Sequence, residues 1–107
     1  MIKDKGFVCH KINGKLYKTL VSCYMVDDFT FVYPYDSRGW CVVDYRTGAT
    51  ILRSNTRQMA IEEYHKKQKE YEDYRASKLY DALITIADSA EIKTSYELRD
   101  IIKEEKR

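Results

Sequence analysis

Three cysteines, Cys9, Cys23 and Cys41, and two histidines, His10 and His65, are the residues best equipped for chemistry in this chain. Together they could form a Cys3His zinc centre, or a thiolate activated by a neighbouring imidazole. The spacing speaks against zinc. Structural zinc sites draw their thiolates in pairs two to four residues apart, because one tight turn must deliver two sulfurs to one tetrahedral ion. Here the cysteines fall one per strand-like run, spaced as core residues are, and buried free thiols are the expectation. A Cys–His nucleophile also needs an orienting group and an oxyanion hole. The four glycines form no phosphate-cradling loop and no dinucleotide fingerprint. His65, beside Lys66 and Lys67, reads as solvated. So does the acidic run Glu62, Glu63, Glu70, Glu72 and Asp73, which is interleaved with lysines. No catalytic, cofactor-binding or metal-binding residue is assigned, and the chain reads as non-enzymatic.

The aromatic supply is the anomaly. Ten tyrosines, one tryptophan and three phenylalanines in 107 residues exceed what one small core needs. Tyrosine and tryptophan give large contact area with a polar tip and little rotamer entropy, so they concentrate in binding surfaces. Two groups stand out as partner-binding candidates: Tyr33, Tyr35, Arg38 and Trp40 around a turn, and Tyr71, Tyr74 and Arg75 on a helix. A different chemistry is open to Lys11, Lys15, Lys18, Arg38, Arg46 and Arg53, set among Tyr17, Tyr24, Tyr33 and Tyr45. Basic and aromatic side chains on a sheet suit stacking of single-stranded nucleic acid, although no RNP-like pattern is present.

The elements that must position these residues change character midway. Asn13-Gly14 separates two β-prone runs, residues 7–12 and 15–25, and both turn residues must accept positive φ. A two-residue turn pairs Ile12 with Lys15, His10 with Tyr17 and Val8 with Thr19. That register puts Tyr17, Thr19, Val21, Cys23 and Met25 on one inward face. Strands follow at 29–33, 40–45 and 49–53, joined by connections too short for a parallel crossover, so the sheet is an antiparallel meander. Pro34 cannot donate to a ladder, so its strand ends there or lies at an edge.

Residues 54–56 offer N-caps, with Asn55 and Gln58 spaced as a capping box. From 57 to about 90 there is neither Gly nor Pro, and a long helix is expected. Ile61, Tyr64, Tyr71, Leu79, Ala82, Leu83 and Ile86 form its apolar stripe. The stripe is thin at 65–75, so that stretch is expected to project into water, and a break near Ala76-Ser77 fits. Thr94-x-x-Glu97 opens a last helix that packs on the 79–90 segment as a C-terminal helical hairpin distal to the sheet.

The run of residues 39–63, about a quarter of the chain, resembles the hairpin-then-helix of many small phage proteins. In those proteins a W-x-V-x-x-x-x-T-G hairpin precedes T-R-x-x-A-I at a helix start, matched here by Trp40 to Gly48 and Thr56 to Ile61. It is also similar to the antitoxin HicB, whose strand leads to a T-x-x-E-A helix opening, although that family's P-D-x-x-G-C stretch is absent. The whole profile is similar to phage-encoded accessory proteins, among which anti-CRISPR proteins are a prominent class: short, single-domain, charged and without a catalytic signature.

Length fits one α+β domain over 1–107, with the antiparallel sheet of four to five strands in 1–54 and the helical part in 55–107. The formal net charge of +2 is too slight to announce a nucleic-acid binder, and too positive for a mimic of DNA. No apolar run is long enough to span a bilayer and the N-terminus lacks an apolar leader, so a cytoplasmic location without membrane contact is the expectation. The resemblance implies a protein-binding inhibitor that blocks a host nuclease-type defence complex such as CRISPR–Cas by steric occlusion. Its partner would be a host protein or ribonucleoprotein. The other reading is a small nucleic-acid-binding regulator using the basic sheet, and homodimerisation through the thinly striped helix fits either.

Overall fold

Asn13 and Gly14 have φ of 52° and 79°, the left-handed pair that a two-residue hairpin turn requires. They join β1 (Ile2–Ile12) to β2 (Lys15–Met25), with Ile12 opposite Lys15, His10 opposite Tyr17 and Val8 opposite Thr19. In the computed structural model, which describes residues 1–36 and 39–105, the meander continues through β3 (Thr30–Tyr35), β4 (Gly39–Asp44) and β5 (Thr50–Ser54). The strands lie in chain order, β1-β2-β3-β4-β5, all antiparallel, and a register shift between Val42 and Val43 bends β4.

The sheet curls strongly. β2 pairs with β3 only at Tyr24–Val32 and Met25–Phe31. At the far end the backbone of β1 reaches the β4–β5 turn, where Cys9 N–H donates to the Gly48 carbonyl at 2.8 Å. Cys9 Sγ donates to the Thr47 carbonyl at 3.1 Å. Gly48, at φ 71°, permits this approach, since a Cβ there would stand 2.8 Å from the Phe7 oxygen. The concave face encloses Val8, Cys23, Phe31, Tyr33, Cys41 and Val43, while Val32 and Val42 on the convex face pack under the helices.

The helical half shows the expected break near Ala76-Ser77 and a second, unexpected one at Lys67, which together give α1 (Arg57–Lys66), α2 (Gln68–Arg75) and α3 (Lys78–Asp88) in place of one long helix. Thr56, rather than Asn55, caps α1, accepting from Met59 N–H. At Lys67 the chain leaves helical geometry (φ −107°, ψ 13°), and across this bend Tyr71 stacks on Tyr64, centroids 5.3 Å apart and planes 15° from parallel. Tyr71 therefore packs against the convex core, while most of the 65–75 stretch faces water as expected and α2 buries no residue. At the second break Ser77 is extended and caps α3, accepting from Tyr80 N–H at 3.3 Å. That break resets the helical phase, and Leu79, Ala82 and Ile86 turn outward.

The C-terminal pair is also not a free-standing hairpin. Where β3 has diverged from β2, the exposed β2 edge takes the linker as a short parallel strand, β6 (Glu91–Ile92), opposite Tyr17 and Lys18. Thr19 Oγ1 donates to the Lys93 carbonyl at 2.9 Å and reinforces the join. The capping box that opens α4 (Ser95–Glu105) is complete: Glu97 N–H donates to Thr94 Oγ1 and Thr94 N–H to Glu97 Oε1, each at 3.1 Å. Leu98 is buried beneath it. No helix among the described residues is long and apolar enough to cross a membrane.

Candidate docking groove

Two short turns build one wall of the principal groove. Asp27, in the β2–β3 turn, accepts through Oδ1 from Phe29 N–H and Thr30 N–H at 2.8 Å and from Thr30 Oγ1 at 2.9 Å. Its Oδ2 accepts from the Tyr64 hydroxyl at 2.7 Å. Burial pushes the Asp27 carboxyl up, but these four donors outweigh it and hold the group below the usual carboxylate range. With its backbone fixed this way, Phe29 points its ring outward, 54% exposed. Tyr45 N–H donates to the Phe29 carbonyl at 2.8 Å and locks the second turn beside the first. The Tyr45 ring stands edge-on to Phe31 (6.1 Å, 87°) yet remains 43% exposed.

Helices α2 and α3 supply the other wall. Arg75 lays its guanidinium over the Phe29 ring, 4.7 Å from the centroid, and its Nη1 is enclosed with no acceptor in hydrogen-bond geometry among the described residues. Tyr80 anchors α3 by donating to Asp44, and Tyr74 meets Tyr80 edge-on at 5.4 Å. Between the walls lies an open, mainly apolar groove of about 750 Å³, with Arg46, Gln68 and Glu72 at its rim. Its volume falls within the range of ligand and side-chain receptor sites.

The sequence-predicted residues do not gather into one surface. Tyr33 is buried in the concave core beside Phe31. Tyr35 is half-buried under the Arg53 guanidinium, 4.0 Å away, and Arg38 lies outside the described residues. Trp40 is half-buried on the convex face, between Tyr24 at 6.4 Å and Arg57 at 5.7 Å. Tyr71 is spent on Tyr64 and Tyr74 on Tyr80, so Arg75 alone of the set lines the groove. Sequence reasoning missed Phe29 and Tyr45. The signal was present: each ring sits at a strand end, next to a turn, where the alternation that buries Phe31 and Tyr33 runs out.

The basic residues of the sheet are largely engaged. Arg46 pairs with Asp88 through two bonds at 2.6 and 2.9 Å, Lys15 with Glu91 at 2.8 Å, and Lys18 Nζ donates to the Ala87 carbonyl. Burial pushes the Cys23 thiol up to about 11, with Asp4 adding to it. Burial also raises Cys9, partly offset by Lys18. Both are therefore protonated, weak nucleophiles at neutral pH. Among the described residues no group of three His, Cys, Asp or Glu is placed to hold a metal ion. The chain matches no known protein family, no curated protein and no solved structure.

Proposed function

We propose that this chain is a non-enzymatic protein-binding module that docks through the groove between the two turns and α2. The observation that carries the reading is the exposed pair Phe29 and Tyr45, with Arg75 stacked on Phe29, around a mainly apolar cleft. Aromatic rings and arginine at the centre of a patch are the side chains that dominate binding energy at interfaces, because they desolvate large area at little entropic cost. The two hydrogen-bonded turns hold these rings before any partner arrives, which lowers the cost of association.

The resemblance to phage accessory proteins supplies the class of partner: a host nuclease-type defence complex such as CRISPR–Cas, inhibited by occlusion of its nucleic-acid or regulatory surface. The test is co-purification with, and inhibition of, such complexes by the intact protein and by Phe29→Ala and Tyr45→Ala. Each substitution removes an exposed ring and should weaken binding about thirtyfold, from a loss near 2 kcal/mol. Tyr96→Ala, in an exposed ring on α4, should leave it unchanged. Equal binding by all three variants would remove the groove from consideration.

A further inference from the structure

The outer edge of β2 carries backbone groups that no strand takes up. The two-residue turn makes Ile12 and Lys15 a hydrogen-bonded pair, so alternate residues from Tyr17 to Cys23 bond β1. Lys18, Leu20, Ser22 and Tyr24 therefore turn their N–H and C=O the other way, as the Lys18 carbonyl does in accepting from Lys93 N–H at 3.0 Å. β6 covers this edge at Tyr17 and Lys18, and β3 covers it at Tyr24 and Met25. Between them, among the described residues, no strand pairs with Leu20 or Ser22 on this side, and both residues are exposed. The β2–β3 register, continued, brings Pro34 opposite Ser22, and proline has no N–H to give the Ser22 carbonyl. The pairing stops there and leaves a slot. A cleft opens on each face of it, and Ser22 and Pro34 line both. The convex cleft, about 530 Å³, runs between Lys3, Lys5, Tyr24 and Trp40. The concave one, about 610 Å³, is walled by Val21, Tyr33, Leu98 and Ile102.

We propose that this slot takes an extended segment of another protein as an added strand, with side chains alternately acidic and apolar. Alternating donors and acceptors along a strand edge are matched by a second extended backbone, and this same edge already holds one in β6. An added strand sends successive side chains to opposite faces, so one row enters each cleft. The convex row meets cations. Lys3 and Arg57 lie over the Tyr24 ring at 6.0 and 5.2 Å, and neither they nor Lys5 make an ion pair among the described residues. Asp4 is the one carboxylate lining that cleft, so the matching row is acidic. The concave row meets Val21, Leu98 and Ile102 and is apolar. A second folded copy does not fit, because its sheet brings neighbouring strands that would collide with β6 and β3 on either side. The slot shares no residue with the groove between the two turns, so it is independent of that groove's partner.

The probe is a capped hexapeptide alternating valine with glutamate, titrated into the isotope-labelled full chain and followed by NMR. The backbone amides of Leu20 and Ser22 should shift and gain protection from hydrogen exchange. Full N-methylation of the peptide backbone keeps its side chains but removes its donors, and should abolish binding. Replacing its glutamates by lysine, or combining Lys3→Ala with Lys5→Ala in the protein, should weaken binding about tenfold. Pro34→Val supplies the missing donor, so β3 should zip on to Ser22, protect that amide without peptide and shut the probe out. Leu20 and Ser22 amides that ignore the peptide, or equal binding by its N-methylated form, would overturn the proposal. So would undiminished binding to a Pro34→Val protein whose Ser22 amide is already protected. Self-association that shifts the same two amides without peptide would assign the edge to a second copy instead.

Discussion

The hydroxyl of Tyr80 stands 2.9 and 3.1 Å from the two carboxylate oxygens of Asp44, tying α3 to the β4–β5 turn through a buried charge. Asp44 Oδ2 also accepts from Thr47 N–H at 2.9 Å and Thr47 Oγ1 at 2.7 Å, so this one carboxylate shapes the turn and fastens the helix. Burial raises the Tyr80 pKa, and the Asp44 charge raises it further, so the hydroxyl stays a donor across the neutral range. Tyr80→Phe strips a buried carboxylate of a donor and should cost about 1–3 kcal/mol of stability in denaturant unfolding. Thr47→Val should couple to it, the double variant losing less than the sum of the singles. Additive losses would mean that the carboxylate does not link the two.

Closure of the sheet depends on Gly48. Its positive φ and the 2.8 Å spacing from a would-be Cβ to the Phe7 oxygen mean that Gly48→Ala must strain the turn and push β1 away. A loss of about 1–3 kcal/mol is expected from the backbone conformation alone. Gly14→Ala makes the comparison, since it has φ 79° but no atom within 4 Å. Gly48→Ala should be the more damaging by chemical denaturation. Equal effects would show that β1 does not rest on the turn.

Acidification should weaken the fold in two stages. Burial holds the half-buried His10 below its ordinary 6.5, so the unfolded chain takes up that proton first. Its contribution is complete above pH 6.5 and declines as pH falls from there to the folded value. Asp27 is depressed below 3.8, so its contribution is complete above that pH and is lost as pH falls through its lower folded value. Exposed Asp88, Glu91 and Glu97 are lowered by their hydrogen-bonding partners and share this second limb, screened by solvent. In unfolding midpoints measured from pH 7.5 down to pH 3, His10→Gln should flatten the upper limb. Asp27→Asn should reduce the lower one. An upper limb that survives His10→Gln would assign it to another group.

A labelled single-stranded oligonucleotide should not bind at physiological salt. Several members of the stacking platform that the composition allows are engaged elsewhere: Tyr33 is buried, Arg53 covers Tyr35, and Arg46 and Lys15 pair with Asp88 and Glu91, although Tyr45 stays exposed. Binding whose affinity falls steeply with log salt would reverse this conclusion. Asp88→Ala and Glu91→Ala should raise any residual binding by freeing those cations.

Local rules determined what depends on a few adjacent residues. The Asn13-Gly14 turn set the hairpin register because only left-handed φ closes it. The short connections made the meander antiparallel, and Thr94 with Glu97 marked the last helix start. The tertiary structure alone decided which aromatic side chains face water. Of ten tyrosines only Tyr45 and Tyr96 are exposed, because the two faces of the sheet make two cores, one of them under α1, where composition implies one. It also decided the helix phase. Lys67 is an ordinary helical residue by propensity, and its break accompanies the packing of Tyr71 on Tyr64, whereas Ser77 is a favoured N-cap and its break was legible locally. Burial is a property of the whole chain's path, which no window of neighbouring residues encodes.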